Sequence, residues 1–264
     1  MELEVLVATM GQKDLSLGEK MNIKRDAVIA NQCGSFGYAE QRNEKGILRM
    51  ISTATKGVGT NRNLALELAK GDILLFADDD IVYYDDLQPV MEAFRELPKA
   101  DVIFFAMDMT REGKVFDKRR HKRKRLHLWN SMKYGAARMA VRREAVEKNR
   151  LRFSTLFGGG SLYCSGEDSI FVRDCLKKGL RLYSHEHVLG ACAKDSSSWF
   201  RGYDEKYFFD RGALIAASFP KLKHLVKWYY IFKFAKKTEL SRSAVIRRIN
   251  EGIRAYPQQK GFEA

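Results

Sequence analysis

A continuous apolar run that ends in three aspartates constrains the fold of this chain more than any other feature. Residues 73–77 read ILLFA, and Asp78, Asp79 and Asp80 follow directly. A strand that is apolar at every position needs cover on both faces, as the inner strands of a parallel sheet have. The run therefore predicts an α/β fold in which helices cover both faces of a mostly parallel sheet.

The segments around this run alternate as such a fold requires. Short apolar runs predict further strands, and amphipathic segments between them predict helices. The predicted strands are residues 3–8, 27–30, 47–51 and 102–106, and the predicted helices are 15–24, 61–69, 86–97 and 166–178. Gly71 is expected to terminate the helix at 61–69 as its C′ residue. The last 45 residues are also predicted to be helical, with Leu222, Leu225, Val226, Tyr229 and Phe232 on one face.

The length and composition of the chain suit one large domain with an extension. It has 264 residues, of which 45% are hydrophobic. We expect one large α/β domain over residues 1–218, with one half at 1–107 and a second half at 108–218. Residues 219–264 are expected to form a basic amphipathic helical extension. The four cysteines show no CxxC pair, which favours free thiols in a reducing compartment.

The net charge of +14 comes from two segments. Residues 118–125 read KRRHKRKR, and residues 221–248 hold nine lysines and arginines against Glu239 alone. The remainder of the chain is close to neutral, which argues against a protein that coats nucleic acid. The C-terminal segment mixes its lysines with aromatic residues, as helices on anionic membrane surfaces do. The first basic run is expected either to contact an anionic group or to form an exposed loop.

The aspartate triplet is the candidate metal site. Adjacent carboxylates repel one another unless a cation or an arginine lies between them. Mg²⁺ and Mn²⁺ are held in such sites through one or two carboxylates plus substrate phosphates. The alternative is a solvated turn before the helix at 86–97, since acids also favour helix starts.

Other candidate ligand contacts lie where parallel strands end and helices begin. Thr9 and Met10 follow the first strand, and Asn31 and Gln32 follow the second. Residues 57–63 (GVGTNRN) open the helix before the aspartates, where backbone N–H groups and Arg62 suit a diphosphate.

The second half of the chain holds candidates for proton transfer and acceptor binding. Glu167 and Asp168 open a predicted helix after a glycine-rich loop at 157–160, which is expected to be flexible. Either acid suits a general base that accepts a proton from an acceptor hydroxyl, with Asp168 preferred. Gly159, Gly160 and the aromatic Trp199 are candidate acceptor contacts. Of His185 and His187, the latter is the candidate metal ligand.

These motifs, in this order, resemble the family 2 glycosyltransferases of the GT-A fold. Members carry an Arg-Asn pair, matched by Arg62 and Asn63, then an Asp-x-Asp at a strand end, matched by Asp78 and Asp80, and a later Glu-Asp pair. Residues 196–212 look like the tail of the bacterial capsular and exopolysaccharide enzymes of that family.

The resemblance implies an inverting, Mn²⁺- or Mg²⁺-dependent transfer from a nucleotide-sugar donor, a UDP-sugar above others, to a lipid-linked saccharide. Asp78 and Asp80 would hold metal and diphosphate, Arg62 would contact the nucleotide, and Asp168 would be the base. The chain departs from the family where many members carry two aspartates after the second strand, because Asn31 and Gln32 stand there. We expect a cytoplasmic protein, peripheral at the inner face of the cell membrane, that binds no nucleic acid. The alternatives are a nucleotidyltransferase, which would release pyrophosphate, and a non-enzymatic nucleic-acid-binding protein.

Overall fold

The computed structural model describes residues 1–119, 122–131, 134–193, 202–234 and 237–259. Its strands belong to one sheet in the order β3-β4-β2-β1-β5-β10-β7-β11-β6, with β8 paired to β7 and β9 paired to β11. The strands are β1 Leu3–Met10, β2 Asp26–Gln32, β3 Gly37–Arg42, β4 Ile47–Thr53, β5 Ile73–Asp78, β6 Ile81–Tyr83, β7 Val102–Arg111, β8 Lys114–Arg119, β9 Lys124–Leu126, β10 Met139–Arg142 and β11 Leu182–Ala193.

The described residues form nine α-helices, six of them between strands along the chain and three after the last strand. They are α1 Ser16–Lys20, α2 Val58–Leu68, α3 Gln88–Glu96, α4 Leu128–Ser131, α5 Arg143–Asn149, α6 Glu167–Lys177, α7 Glu205–Ser218, α8 Lys223–Phe234 and α9 Arg242–Gln259. The α/β class with a large central sheet is therefore confirmed. Among the helices described, none has the length and apolar character needed to cross a membrane.

The sheet is mixed rather than mostly parallel, which corrects the prediction. Parallel pairing joins β4, β2, β1 and β5, and also β7 and β11. The pairs of β10 with β5 and β7, of β3 with β4, and of β11 with β6 are antiparallel. The hydrophobic pattern of a short strand such as β10 reports its burial and not its direction, so the sequence did not reveal the reversal.

The apolar run at β5 is buried on both faces, as predicted. Ile73, Leu75 and Ala77 enter the core on one side of the sheet, with side chains from α1 and α3. Leu74 and Phe76 enter the core on the other side, with side chains from α2, α5 and α6. Each of these five residues is at most 1% exposed. The alternation follows from the two-residue period of a strand.

The end of α2 differs from the prediction. The helix stops at Leu68, so Gly71 is not its C′ residue. The backbone N–H groups of Lys70 and Gly71 instead donate to the carboxylate of Glu4, which is buried and also paired with Arg49. A buried acid on β1 thus holds the turn that leads into β5.

The chain divides into two compact units, and the division differs from the predicted boundary after residue 218. Unit 1 comprises residues 1–56, 60–153 and 171–196, and unit 2 comprises 57–59, 154–170 and 197–264. Helix α7, expected in the domain at 1–218, packs in unit 2 against α8 and α9. Helices α7 and α9 approach closely, since a Cβ on Gly252 would lie 1.9 Å from the carbonyl oxygen of Phe209.

Candidate functional site

Arg62 and Asp78 form the fixed part of the site in unit 1. Asp78 is the last residue of β5, and the Arg62 guanidinium donates to its carboxylate at 2.8 Å. The Arg62 side chain is 4% exposed, whereas that of Asp78 is 40% exposed. The guanidinium also lies over the ring of Phe153, with 5.4 Å from Cζ to the ring centroid. The arginine predicted to contact the nucleotide is therefore held beside the first aspartate.

The other two aspartates are exposed and are held by neighbouring strands. Asp79 accepts a hydrogen bond from the Thr9 hydroxyl near the end of β1. Asp80 accepts a hydrogen bond from the Cys192 thiol of β11 at 3.3 Å, and its carbonyl accepts one from the backbone N–H of Ala193. The three carboxylates are thus oriented separately at the carboxyl end of β5.

The Asp80 carboxyl is both desolvated and close to other negative charges. Desolvation by surrounding protein atoms and the charge of Asp78 raise the pKa of the Asp80 carboxyl to about 6, with a smaller contribution from Asp79. A divalent cation would relieve this repulsion. Within the part of the chain that the structure describes, no three His, Cys, Asp or Glu side chains form a preorganised metal cluster. The donor set therefore fits a cation only together with substrate oxygens, as Mg²⁺ and Mn²⁺ sites commonly do.

The residues at the ends of β1 and β2 divide into structural and accessible groups. Asn31 is fully buried, and its amide bonds to the backbone of Gln12 and to the Ser52 hydroxyl. It holds the loop after β1 and presents no amide to a ligand. Met10 and Gln32 are more accessible, with Met10 56% exposed. These two, and not Asn31, can touch a nucleotide there.

Asn61 is a site residue that the sequence analysis did not single out. Its amide donates to the carbonyl oxygens of Thr9 and Ala30, so it ties α2 to the ends of β1 and β2. Its Oδ1 is buried without a hydrogen-bond partner among the described residues. Asn61 lies within residues 57–63, the polar helix start that the sequence analysis associated with a diphosphate, and this position was the signal for it.

His187 and His185 each lie beside an acid outside the aspartate triplet, Asp85 and Glu96 respectively. The Nε2 atom of His187 lies 3.6 Å from a carboxylate oxygen of Asp85. On β11 it is Cys192, and not His187, that contacts Asp80. No pattern in the sequence predicted this contact, which joins residues 112 positions apart through the pairing of β6 with β11.

The first basic run is partly built into the sheet. Its described residues lie at the end of β8 and in β9 and the turn before it. Arg123 contacts Glu96 at 2.7 Å and Glu186 at 3.0 Å, and the bond to Glu186 raises its pKa. Arg123 therefore supports β11 and α3, while Lys122, Lys124 and Arg125 are exposed.

In unit 2, the glycine segment predicted as a flexible loop is a hydrogen-bonded turn. The backbone N–H of Gly158 donates to Tyr163, and the carbonyl of Gly159 accepts from Val58. The rings of Phe157 and Tyr163 stack with centroids 4.7 Å apart, and both side chains are buried. Backbone bonds and buried rings thus hold the segment.

Glu167 and Asp168, the two candidates for the general base, open α6 beside this turn. Glu167 is buried, and its carboxylate accepts from the backbone N–H of Gly166 at 3.1 Å. A Cβ on Gly158 would lie 3.0 Å from that carboxylate, so the glycine makes room for Glu167. Asp168 is only half-buried. The Glu167 carboxylate is therefore part of the turn, and Asp168 is the more accessible of the two acids.

The remaining acceptor candidates are only partly described. Gly159 is half-buried and Gly160 is exposed in the turn. Trp199 lies outside the residues that the structure describes.

Comparisons with known proteins agree with this fold. Residues 37–151 match the model of the glycosyl transferase family 2, a segment that contains Arg62 and Asp78–Asp80 and ends before Glu167. The fold is similar to that of S. aureus TarS. A search of curated proteins by sequence gives no match.

Three crystal structures of TarS carry the structural comparison. A form of residues 1–349 with UDP-GlcNAc is 14% identical, covers 98% of this chain and 92% of its own, and has a TM-score of 0.63. The same form with UDP is 16% identical, and the match covers 97% of this chain and 83% of the TarS chain, with a TM-score of 0.58. A longer TarS chain is 14% identical over 98% and 50%, with a TM-score of 0.59.

The fold and the matched segment define the class of this protein. It has the GT-A fold and is a glycosyltransferase. Among solved structures, its fold is similar to that of TarS.

Proposed function

We propose that the chain transfers a sugar, with inversion, from a nucleotide-sugar donor to a lipid-linked saccharide in bacterial capsule or exopolysaccharide synthesis. A UDP-sugar is the proposed donor, because the similar TarS structures contain UDP-GlcNAc and UDP. The observation that carries the proposal is made at the carboxyl end of β5. There Arg62 holds Asp78, and the Asp80 carboxyl that follows has a raised pKa.

The proposed cofactor is Mn²⁺ or Mg²⁺ at Asp80 and Asp78. A bound cation would supply positive charge to the diphosphate leaving group. Arg62 fixes the orientation of Asp78 through a partly buried hydrogen bond, so the carboxylate is placed before substrate arrives. Met10 and Gln32 are the accessible groups for the nucleotide at the neighbouring strand ends.

Asp168 is the proposed general base. The acceptor hydroxyl loses its proton to the Asp168 carboxylate as its oxygen bonds to the anomeric carbon. The bond from that carbon to the diphosphate breaks, and the nucleoside diphosphate leaves with the electron pair. Attack from the face opposite the leaving group inverts the anomeric centre. Glu167 stabilises the turn that carries this residue, since its own carboxylate is buried there.

The proposed location is the cytoplasmic side of the membrane, where lipid-linked acceptors are held. The surplus of lysines in the C-terminal segment is the observation that supports it. The aromatic residues among those lysines are consistent with an interfacial site.

The experiment is release of nucleoside diphosphate from UDP-, GDP- and dTDP-sugars, with and without Mn²⁺. Metal-dependent release from one donor supports the proposal, and it should be lost in Asp80→Asn. Asp72→Asn is the matched control, because Asp72 is an exposed acid at the opposite end of β5. Release of pyrophosphate from a nucleoside triphosphate and a sugar phosphate would instead indicate a nucleotidyltransferase.

A further inference from the structure

Helix α8 has two apolar faces, and among the described residues one of them is packed and the other is exposed. Ile231 is 3% exposed, and Val226, Tyr230 and Phe234 pack beside it against α7 and α9. These residues complete the core of unit 2. The packing of α8 is therefore explained without its remaining large apolar side chains.

The other face, here called the outer face, consists of Leu225, Trp228, Tyr229 and Phe232. They are 71%, 45%, 58% and 73% exposed, respectively. Their spacing of three and four residues places them on one side of the helix. Leu222 extends the row by one turn and is 42% exposed. This corrects the sequence expectation, since Val226 belongs to the buried face and not to this row.

The segment that carries the outer face is rich in lysine and holds no acid. Between residues 219 and 238 the sequence holds six lysines and no Asp or Glu. Lys227 lies over the ring of Trp228, with 5.1 Å from Nζ to the centroid, and Lys233 donates to the Tyr229 hydroxyl. The exposed rings are thus bordered by ammonium groups.

We propose that the outer face of α8 lies in an anionic membrane surface and holds the enzyme there. The inference rests on the proposed function, since it places the enzyme where a lipid-linked acceptor is found. The apolar side chains enter the boundary between headgroups and acyl chains, and the lysines contact lipid phosphates. The helix has 12 residues and is about 18 Å long, too short to span a bilayer core of roughly 30 Å.

Charge favours a membrane over a second copy of the chain. A symmetric dimer would bring identical surfaces together, so the lysines of one outer face would meet those of the other. An anionic bilayer offers the opposite charge over a wide area and accepts the apolar side chains.

The test is sedimentation of the full chain with vesicles of phosphatidylcholine, alone or mixed with phosphatidylglycerol. Binding to the mixed vesicles, weaker in high salt and on neutral vesicles, is expected. Leu225→Ser with Phe232→Ser should lower the partition coefficient at least about tenfold, because two large side chains no longer leave water. The matched control is Phe36→Ser with Tyr38→Ser, which removes two exposed apolar residues from unit 1.

A second pair of variants separates the charge contribution. Lys221→Gln with Lys233→Gln should weaken binding to the mixed vesicles by roughly tenfold and leave binding to neutral vesicles unchanged. Equal loss on both vesicle types would overturn the assigned role of the lysines.

Two further outcomes would overturn the inference. One is no vesicle binding by the native chain. The other is a dimer in light scattering that Leu225→Ser with Phe232→Ser converts to a monomer, since a second copy would then cover the face. Donor hydrolysis by the same proteins is measured in parallel. Hydrolysis without vesicle binding defeats the inference alone, and vesicle binding without hydrolysis of any donor defeats the proposed function alone.

Discussion

The two acidic regions of this protein are built in opposite ways. At the edge of β5 in unit 1, three consecutive carboxylates crowd one another, and Asp80 has a raised pKa. At the start of α6 in unit 2, the buried Glu167 is accommodated by a glycine turn and bonded to the backbone. The first arrangement favours the binding of a positive charge, while the second fixes the backbone of the turn before α6. The difference teaches that charge repulsion remains at Asp80 in the first region, whereas hydrogen bonding within the protein stabilises the acid in the second.

The largest effect is expected from the base. Asp168→Asn should lower the rate of sugar transfer by about 10²–10⁴-fold, because no carboxylate then takes the proton of the attacking hydroxyl. Donor affinity should change little. Steady-state kinetics with acceptor, beside donor titration, checks this. Asp174→Asn on the same helix is the control, and an equal loss there would remove the special role of Asp168.

The turn in unit 2 gives the next effect. A Cβ at Gly158 would lie 2.5 Å from Val58, and the residue has φ +110°. Gly158→Ala should therefore lower the free energy of unfolding by about 2–4 kcal/mol. Gly113→Ala isolates backbone strain from the clash, because Gly113 has φ +74° and open space around it. Similar losses in thermal unfolding of both variants would show that the clash is unimportant.

In unit 1, the pair of Arg62 with Asp78 should give a smaller effect. A double-mutant cycle with Arg62→Leu and Asp78→Asn should yield a coupling energy of about 1–2 kcal/mol in denaturant unfolding. The value is moderate because the Asp78 side chain is 40% exposed and water screens the pair. A coupling energy near zero would mean that Arg62 does not position this carboxylate.

The smallest expected effect is a gain in stability, unlike the losses described above. Because the pKa of Asp80 is raised to about 6, its ionisation destabilises the metal-free fold as pH rises from about 4 to about 6. Asp80→Asn should therefore stabilise the metal-free protein at pH 7, by about 1 kcal/mol after solvent screening. The two proteins should unfold alike below pH 4. Thermal unfolding against pH checks this, and a less stable Asp80→Asn at pH 7 would contradict the crowding.

Much of the α/β fold followed from the sequence because burial leaves a strong pattern. The run at β5 and the polar start of α2 were sufficient to locate Arg62 and Asp78. Features that depend on distant pairing were not predictable. Cys192 reaches Asp80 only through the pairing of β11 with β6, and the antiparallel insertion of β10 leaves no mark in its four residues.

The sequence was also insufficient where one residue has two structural explanations. Asn31 stood at a strand end where ligands bind, yet its amide is used by the loop after β1. The glycines at 158–160 suggested flexibility, whereas the positive φ angles of Gly158 and Gly160 and the close contacts of Gly158 belong to a packed turn. Composition alone does not distinguish these cases, because the deciding contacts come from other segments.

The central claim is that the carboxyl end of β5 holds a cation and a diphosphate. Titration calorimetry of UDP with and without Mn²⁺ tests this claim most directly. We expect Mn²⁺-dependent binding to the native chain, at least about tenfold weaker in Asp80→Asn and unchanged in Asp72→Asn. Binding that is independent of Mn²⁺ and equal in all three proteins would contradict the account.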